Sequence, residues 1–90
     1  MNVSITDHLI SLPHIVSDLS VGLECDDISE VLHQAHKLKD QAKMCMASML
    51  EETAHNIEQN AAAGDLNGVR VLVSELNLRL QIVLASHRPL

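Results

Sequence analysis

The 90-residue chain contains no Phe, Tyr or Trp, and this absence limits the folds that it can adopt. A chain of this length forms one compact domain and must use nearly all of its apolar side chains in a single core. That core has to be built from Leu, Val, Ile, Ala and Met. Leu, Ala and Met favour helices, whereas strands are typically enriched in aromatic residues. The composition therefore predicts a single all-α domain over residues 1–90.

Apolar residues recur at helical spacing in four segments. We predict a short N-terminal lead-in over residues 1–11, followed by helices over about 12–24, 27–44, 48–63 and 65–86. Because the connections between the helices are only a few residues long, neighbouring helices should pack side by side in opposite directions. The predicted architecture is an antiparallel up-down four-helix bundle.

The helix boundaries are predicted from capping residues. Pro13 suits the start of the first helix, because the amide that it lacks would have no partner there. Asp27 and Asp65 are good N-cap residues for the second and fourth helices, and Ser48 begins a capping box at the third. Gly64 is suited to close the third helix.

Each predicted helix has an apolar stripe that should face the core. The expected core positions are Leu12, Val16 (or Ile15), Leu19 and Leu23 in the first helix, Ile28, Val31, Ala35, Leu38 and Ala42 in the second, Leu50, Ala54, Ile57 and Ala61 in the third, and Leu66, Val69, Val73, Leu76, Leu80 and Val83 in the fourth.

Charge and cysteine content exclude several classes of function. The net charge of -6 argues against a nucleic-acid partner, since phosphate backbones attract excess Lys and Arg. No apolar run has the length of a membrane span, and no secretory signal is recognisable at the N-terminus. Cys25 and Cys45 do not form a metal-binding or disulfide pattern, so we expect reduced thiols and a cytoplasmic location.

One histidine is predicted to lie on the surface of the second helix. The centre of the apolar stripe lies roughly 120° around the helix from His36, so its imidazole should project into solvent. Lys39 and Lys43 follow it on the same face. Their ammonium groups would stabilise a phosphoryl group on the ring and attract an acidic partner.

The run Ala35-His36-Lys37-Leu38-Lys39 resembles the A-H-x-L-K-G signature of histidine-containing phosphotransfer (HPt) domains. Glu58 stands 22 positions after the histidine, as does a Glu or Gln in some members of the family. His55, three residues before Glu58, is similar to a His in the same helix of chemotaxis-kinase phosphotransfer domains. The sequence Ala63-Gly64-Asp65 resembles the turn before the family's last helix, and the resemblance extends over residues 12–85.

The resemblance implies a phosphocarrier without kinase activity of its own. His36 would be phosphorylated, Lys39 would assist, and Glu58 is our candidate acceptor for the Nδ1 proton of His36. The expected partners are response-regulator receiver domains and a sensor or hybrid histidine kinase, which the chain would meet as a monomer without contacting the membrane. No cofactor or metal is expected in the domain itself, because Mg²⁺ would be supplied by the receiver. The domain could be free or the cytoplasmic C-terminal part of a membrane sensor kinase.

The chain departs from the family at two positions where glycine is common, which here are Asp40 and Met46. Asp40 should add a carboxylate near the phosphoryl group, slowing transfer or changing partner choice, and Met46 should alter the turn into the third helix. The predicted partner-binding residues surround His36 on the second and third helices. They are Leu32, His33, Asp40, Lys43, Met46 and His55.

Two other functions remain open at this point. The pairs His33–His36 and Glu52–His55 each place two potential ligands on one helical face, so the chain could be a metal-binding helical bundle. It could also be a degenerate relative of the HPt family that acts only as a protein-interaction adaptor. A metal site would need these ligands to point inward, whereas the apolar stripe places His36 at the rim.

Overall fold

The computed structural model describes residues 5–86, and this part of the chain consists of four α-helices without a strand. The helices are α1 (Ile5–Glu24), α2 (Ile28–Met44), α3 (Ser48–Ala62) and α4 (Leu66–Ser86). Their presence confirms the predicted all-α class. None of the described helices combines the length and the apolar character that crossing a membrane requires.

All three connections have the same length of three residues and the same backbone design. The middle residue of each has a positive φ, at Asp26 (54°), Met46 (57°) and Gly64 (79°). Its amide donates to the carbonyl three residues back, and the next amide donates to the carbonyl five residues back. This double hydrogen bond is the Schellman motif, and here the residue that completes it is also the N-cap of the next helix.

These short connections set the topology of the bundle. The shortest helix, α3, has 15 residues and is about 22 Å long, whereas three residues reach only about 10 Å. Each helix must therefore start where the preceding helix ends and run back alongside it. α2 packs between α1 and α3, and α4 closes the ring by packing against α3 and α1.

The core is aliphatic, as the composition predicts, and nearly every expected position is buried. Two positions differ from the prediction. Ile28 is 37% exposed because it is the first residue of α2, at the open end of the bundle, and Leu66, the first residue of α4, is only half-buried. Cys45 is buried at the end of α2, where desolvation raises the pKa of its thiol.

The predicted lead-in over residues 1–11 and the predicted role of Pro13 are wrong for the described residues. α1 already begins at Ile5, and Pro13 lies inside it. Proline removes the hydrogen bond to the carbonyl of Leu9, but Pro13 is exposed, so water can reach the interrupted turn. Leu9 packs against the core cluster, and this contact stabilises the helical turns that precede Pro13. Residues 1–4 of the predicted lead-in lie outside the described range.

The capping prediction holds at two helices and fails at the third. Asp27 accepts a hydrogen bond from the amide of Glu30 at 3.2 Å, and Asp65 accepts one from Gly68 at 2.9 Å. At α3, however, the N-cap is Ala47, which has no side-chain acceptor, and Ser48 is already helical. The three-residue connection leaves no room for a later N-cap, so the capping box predicted at Ser48 does not form.

The connection between α2 and α3 is therefore locally the weakest of the three. Its N-cap is Ala47, and its left-handed position is occupied by Met46, whose Cβ is strained in that conformation. Met46 is 85% exposed and gains little from burial. The expectation that Met46 alters this turn is not supported, since the turn keeps the geometry of the turn that contains Gly64, at the cost of strain.

Replacing Met46 with glycine should stabilise the protein by about 1 kcal/mol, because glycine adopts a positive φ without a Cβ penalty. The change is measurable as a higher midpoint of urea unfolding, followed by circular dichroism. Met46→Ala is the matched control, since it shortens the side chain but keeps the Cβ and should give no comparable gain. Equal midpoints for the two variants would show that φ at this position stores no strain.

Candidate functional site

α2 presents His36 to solvent. The neighbouring residues Ala35 and Leu38 are fully buried in the bundle, whereas the side chain of His36 is 63% exposed. The helix therefore anchors the residues beside the histidine and leaves the imidazole on the surface, as the position of the apolar stripe predicts. An exposed ring of this kind is accessible to a macromolecular partner.

α3 brings Glu58 next to the same ring. Because the connection at residues 45–47 is so short, α2 and α3 run antiparallel. A residue of α2 therefore lies opposite a residue of α3 that is nearly the same number of positions from the connection. Glu58 lies in contact range of His36, with its Oε1 3.9 Å from Nδ1. The same oxygen lies 3.0 Å from Nζ of Lys39, which stands one turn after His36. The three residues predicted to act together are thus neighbours in the structure.

The Oε1 atom of Glu58 is an acceptor that lacks a hydrogen bond of good geometry. It is shielded from solvent, and although Lys39 forms an ion pair with it, no donor meets hydrogen-bond geometry. A shielded oxygen in this state gains free energy from any donor that reaches it. The Nδ1–H of His36 needs a movement of about 1 Å to become that donor.

The other ring nitrogen of His36 faces a second carboxylate. Oδ2 of Asp40 lies 3.5 Å from Nε2, one turn along the same helix. The side chain of Asp40 is 61% exposed, so this contact is a surface ion pair and not part of the packed core. The imidazole is therefore flanked by Glu58 at Nδ1 and by Asp40 at Nε2.

A surface groove continues from the site between α2 and α3. It is lined by Lys39, Ser48, Glu51, Glu52 and His55. His55 lines this groove, whereas the carboxylates within 4 Å of a ring nitrogen of His36 in the described part of the chain are Asp40 and Glu58. No motif in the sequence marks Ser48 and Glu51 as neighbours of the site. The antiparallel register fixed by the short connection would have placed them there.

The remaining predicted partner-binding residues are spread along α2 and the following turn. Leu32 is half-buried and packs against the core, which leaves only part of it available to a partner. His33 and Lys43 are exposed, and Lys43 lies about 10 Å along the helix from His36. Met46 is 85% exposed. These residues could belong to a partner surface but do not contact the ring.

The alternative of a metal-binding bundle finds no supporting geometry in residues 5–86. Within that range, no group of three or more His, Cys, Asp and Glu side chains could hold a metal ion. His33, His36, Glu52 and His55 are all exposed on the surface, whereas a bundle metal site is built from side chains that point inward.

The described arrangement is suited to nucleophilic chemistry at an imidazole. A neutral histidine attacks through one ring nitrogen when the proton on the other nitrogen is held by an acceptor. Glu58 lies on the side of Nδ1, so Nε2 is the nitrogen left for attack. Lys39 supplies a positive charge near the ring, which favours an incoming anionic group.

Comparison with known families gives one match that covers nearly the whole chain. The family model described as Hpt domain matches residues 5–86. No curated protein and no solved structure matches the chain significantly.

The ion pair between Lys39 and Glu58 should contribute little to stability. Each side chain is about a quarter exposed, and such ion pairs typically contribute at most about 1 kcal/mol to the free energy of unfolding. We expect Lys39→Met and Glu58→Gln to lower the free energy of urea unfolding by less than about 1 kcal/mol. The reference is Leu50→Ala in the core of α3, which should cost about 2–5 kcal/mol. A loss of that size in Glu58→Gln would assign the pair a structural role.

Proposed function

Because the chain belongs to the Hpt domain family, we propose that it is a phosphorelay intermediate that accepts a phosphoryl group on His36 from a receiver-domain aspartate and passes it to the aspartate of another receiver. Hpt domains carry out histidine phosphotransfer in two-component phosphorelays and act as phosphocarriers and not as kinases. Beyond this general activity, we propose which residues act, in which direction each transfer step runs and what each side chain does.

The observation that carries the proposal is the placement of one ring. His36 is exposed to a partner while its Nδ1 lies 3.9 Å from a shielded oxygen of Glu58, which pairs with Lys39 but accepts no hydrogen bond of good geometry. Most exposed histidines have no carboxylate held beside one ring nitrogen by a second helix. Here the acceptor is held by the packing of α3, so only a small movement of the ring is needed to form the hydrogen bond.

In the accepting step, Nε2 of His36 attacks the phosphorus of the receiver's aspartyl phosphate. A bond forms between Nε2 and phosphorus, and the bond between phosphorus and the carboxylate oxygen breaks. Its electron pair stays on the receiver's aspartate. The proton on Nδ1 remains there, where Glu58 accepts it in a hydrogen bond and offsets the positive charge that develops on the ring.

In the donating step the same bonds change in reverse. A carboxylate oxygen of the second receiver attacks phosphorus, and the electron pair of the bond to phosphorus returns to Nε2. The ring is again neutral, with its proton on Nδ1. Neither step needs a nucleotide or a metal from this chain, since the receiver brings the divalent cation that neutralises the phosphoryl oxygens.

Lys39 is assigned to charge neutralisation. In the free protein its ammonium group pairs with Glu58 at 3.0 Å. With a phosphoryl group on Nε2, the doubly charged phosphoryl oxygens become a stronger partner, and the flexible lysine side chain can reach them from the next turn. Its departure also frees Glu58 to accept the Nδ1 proton.

The proposed docking surface is the exposed side of α2 and α3 around His36. Leu32 and the exposed methionines at the α2–α3 turn would supply apolar contact, with Lys39 and Lys43 at the edge. Flexible methionines suit a carrier that meets at least two different receivers in turn. We place these encounters in the cytoplasm and expect them to be transient, with a monomeric carrier.

Incubation with a receiver domain that was first phosphorylated with radiolabelled acetyl phosphate and Mg²⁺ should transfer label to this protein. The label should be acid-labile and alkali-stable, as expected for phosphohistidine, and absent from a His36→Gln variant shown to be folded by circular dichroism. His14→Gln, at an exposed histidine of α1, is the control and should be labelled normally. Failure of labelling across a panel of receivers would instead favour the adaptor function, and label retained in His36→Gln would show that another residue carries the phosphoryl group.

Lys39→Ala and Glu58→Gln should each slow transfer by about 10- to 100-fold. This is at or below the lower end of the rate losses usually seen when one catalytic acid–base or charge-stabilising group is removed, because the site is open to water. Rapid-quench measurement of the rate with a fixed receiver tests this. Lys37→Ala removes an equal charge one residue from His36, and Glu52→Gln removes the charge of another α3 glutamate. If these controls slowed transfer as much, net charge and not the assigned contacts would be responsible.

A further inference from the structure

We propose that Asp40 destabilises the phosphorylated state of His36, so that the domain passes its phosphoryl group on to a receiver and does not store it. The inference rests on the proposed function and concerns the equilibrium of that transfer. It starts from the carboxylate of Asp40, which lies 3.5 Å from Nε2, at the atom where the phosphoryl group would be attached.

The charge of Asp40 is not compensated by a nearby cation. Among the described residues, Asp40 forms an ion pair only with His36 itself. The other carboxylate at the ring, Glu58, pairs with Lys39. Lys37 and Lys43 stand one turn away on either side of Asp40 along α2, but neither is within ion-pair distance of it in that range. A phosphoryl group on Nε2 would therefore meet the negative charge of Asp40, even with Lys39 paired to the phosphoryl oxygens.

Repulsion acts on the phosphorylated state more than on the free state. Before transfer, Asp40 faces an imidazole, which carries a positive charge or none. After transfer, it faces a group with close to two negative charges at a separation of a few ångströms. Asp40 is 61% exposed and can rotate away, so water and salt weaken the repulsion without removing it.

The direction of the effect follows from the two half-reactions. Formation of the bond between Nε2 and phosphorus places the phosphoryl group next to Asp40. Its cleavage by a receiver carboxylate, which forms a new bond to phosphorus and returns the electron pair to Nε2, removes the group again. Asp40 therefore opposes loading and favours unloading, and it raises the phosphoryl-donor potential of His36.

The test measures the equilibrium distribution of label between His36 and a receiver aspartate. The variants are Asp40→Asn, which keeps the shape and removes the charge, and Asp40→Gly, which removes both. The control is Glu24→Gln, which removes an equal charge at the exposed end of α1, more than about 12 Å from His36 along the bundle. All four proteins are compared with one purified receiver at low and high salt.

We expect Asp40→Asn and Asp40→Gly to shift the equilibrium toward phosphorylated His36 by about three- to tenfold, with Glu24→Gln unchanged. The shift should shrink near 1 M salt, where the Debye length is about 3 Å. Label in the wild type with an unchanged equilibrium in Asp40→Asn would overturn this inference and leave the proposed function intact.

Two further outcomes are decisive. A shift in Asp40→Gly but not in Asp40→Asn would mean that space and not charge matters, which also overturns the inference. Label in neither the wild type nor any variant, with any receiver, would overturn the inference together with the proposed function.

Discussion

The structure depends on the three-residue connections between its helices. Each connection consists of a helix C-cap, a left-handed residue and the N-cap of the next helix, so the chain reverses direction within three residues. This constraint makes every pair of successive helices antiparallel and fixes which residues lie opposite each other. The side chains of Leu, Val, Ile and Ala then fill the space between helices that are already aligned.

The candidate site is a direct result of this alignment. His36 and Lys39 belong to α2, and Glu58 belongs to α3, yet the short connection brings all three together without a loop of their own. Met46 adopts the left-handed conformation in that connection despite its Cβ, because the Schellman hydrogen bonds of the turn require a positive φ there. The result is a site in which the proposed acceptor, Glu58, is held by packing, while the imidazole of His36 and the carboxylate of Asp40 remain on the surface.

Much of the fold could be predicted from the sequence, and the errors have identifiable causes. Helices α2, α3 and α4 begin and end within one residue of the predicted bounds, since strong helical periodicity and capping residues mark them. α1 was predicted to begin too late because Pro13 was interpreted as a helix start, although an exposed proline inside a helix costs less when the turns before it pack on the core. The capping box at Ser48 failed because backbone hydrogen bonds, and not the side chain, define that boundary.

The sequence by itself determined the helical class, the exposure of His36 and the three residues that resemble a phosphotransfer site, because helical periodicity and motif spacing are local properties. Only the tertiary structure decided that Glu58 of α3 faces Nδ1 of His36, and that Oε1 of Glu58 is shielded beside Lys39. Those relations depend on how one helix is rotated and shifted against another. The short connection sets the shift, but the rotation is set by packing over the whole core, so no local pattern encodes it.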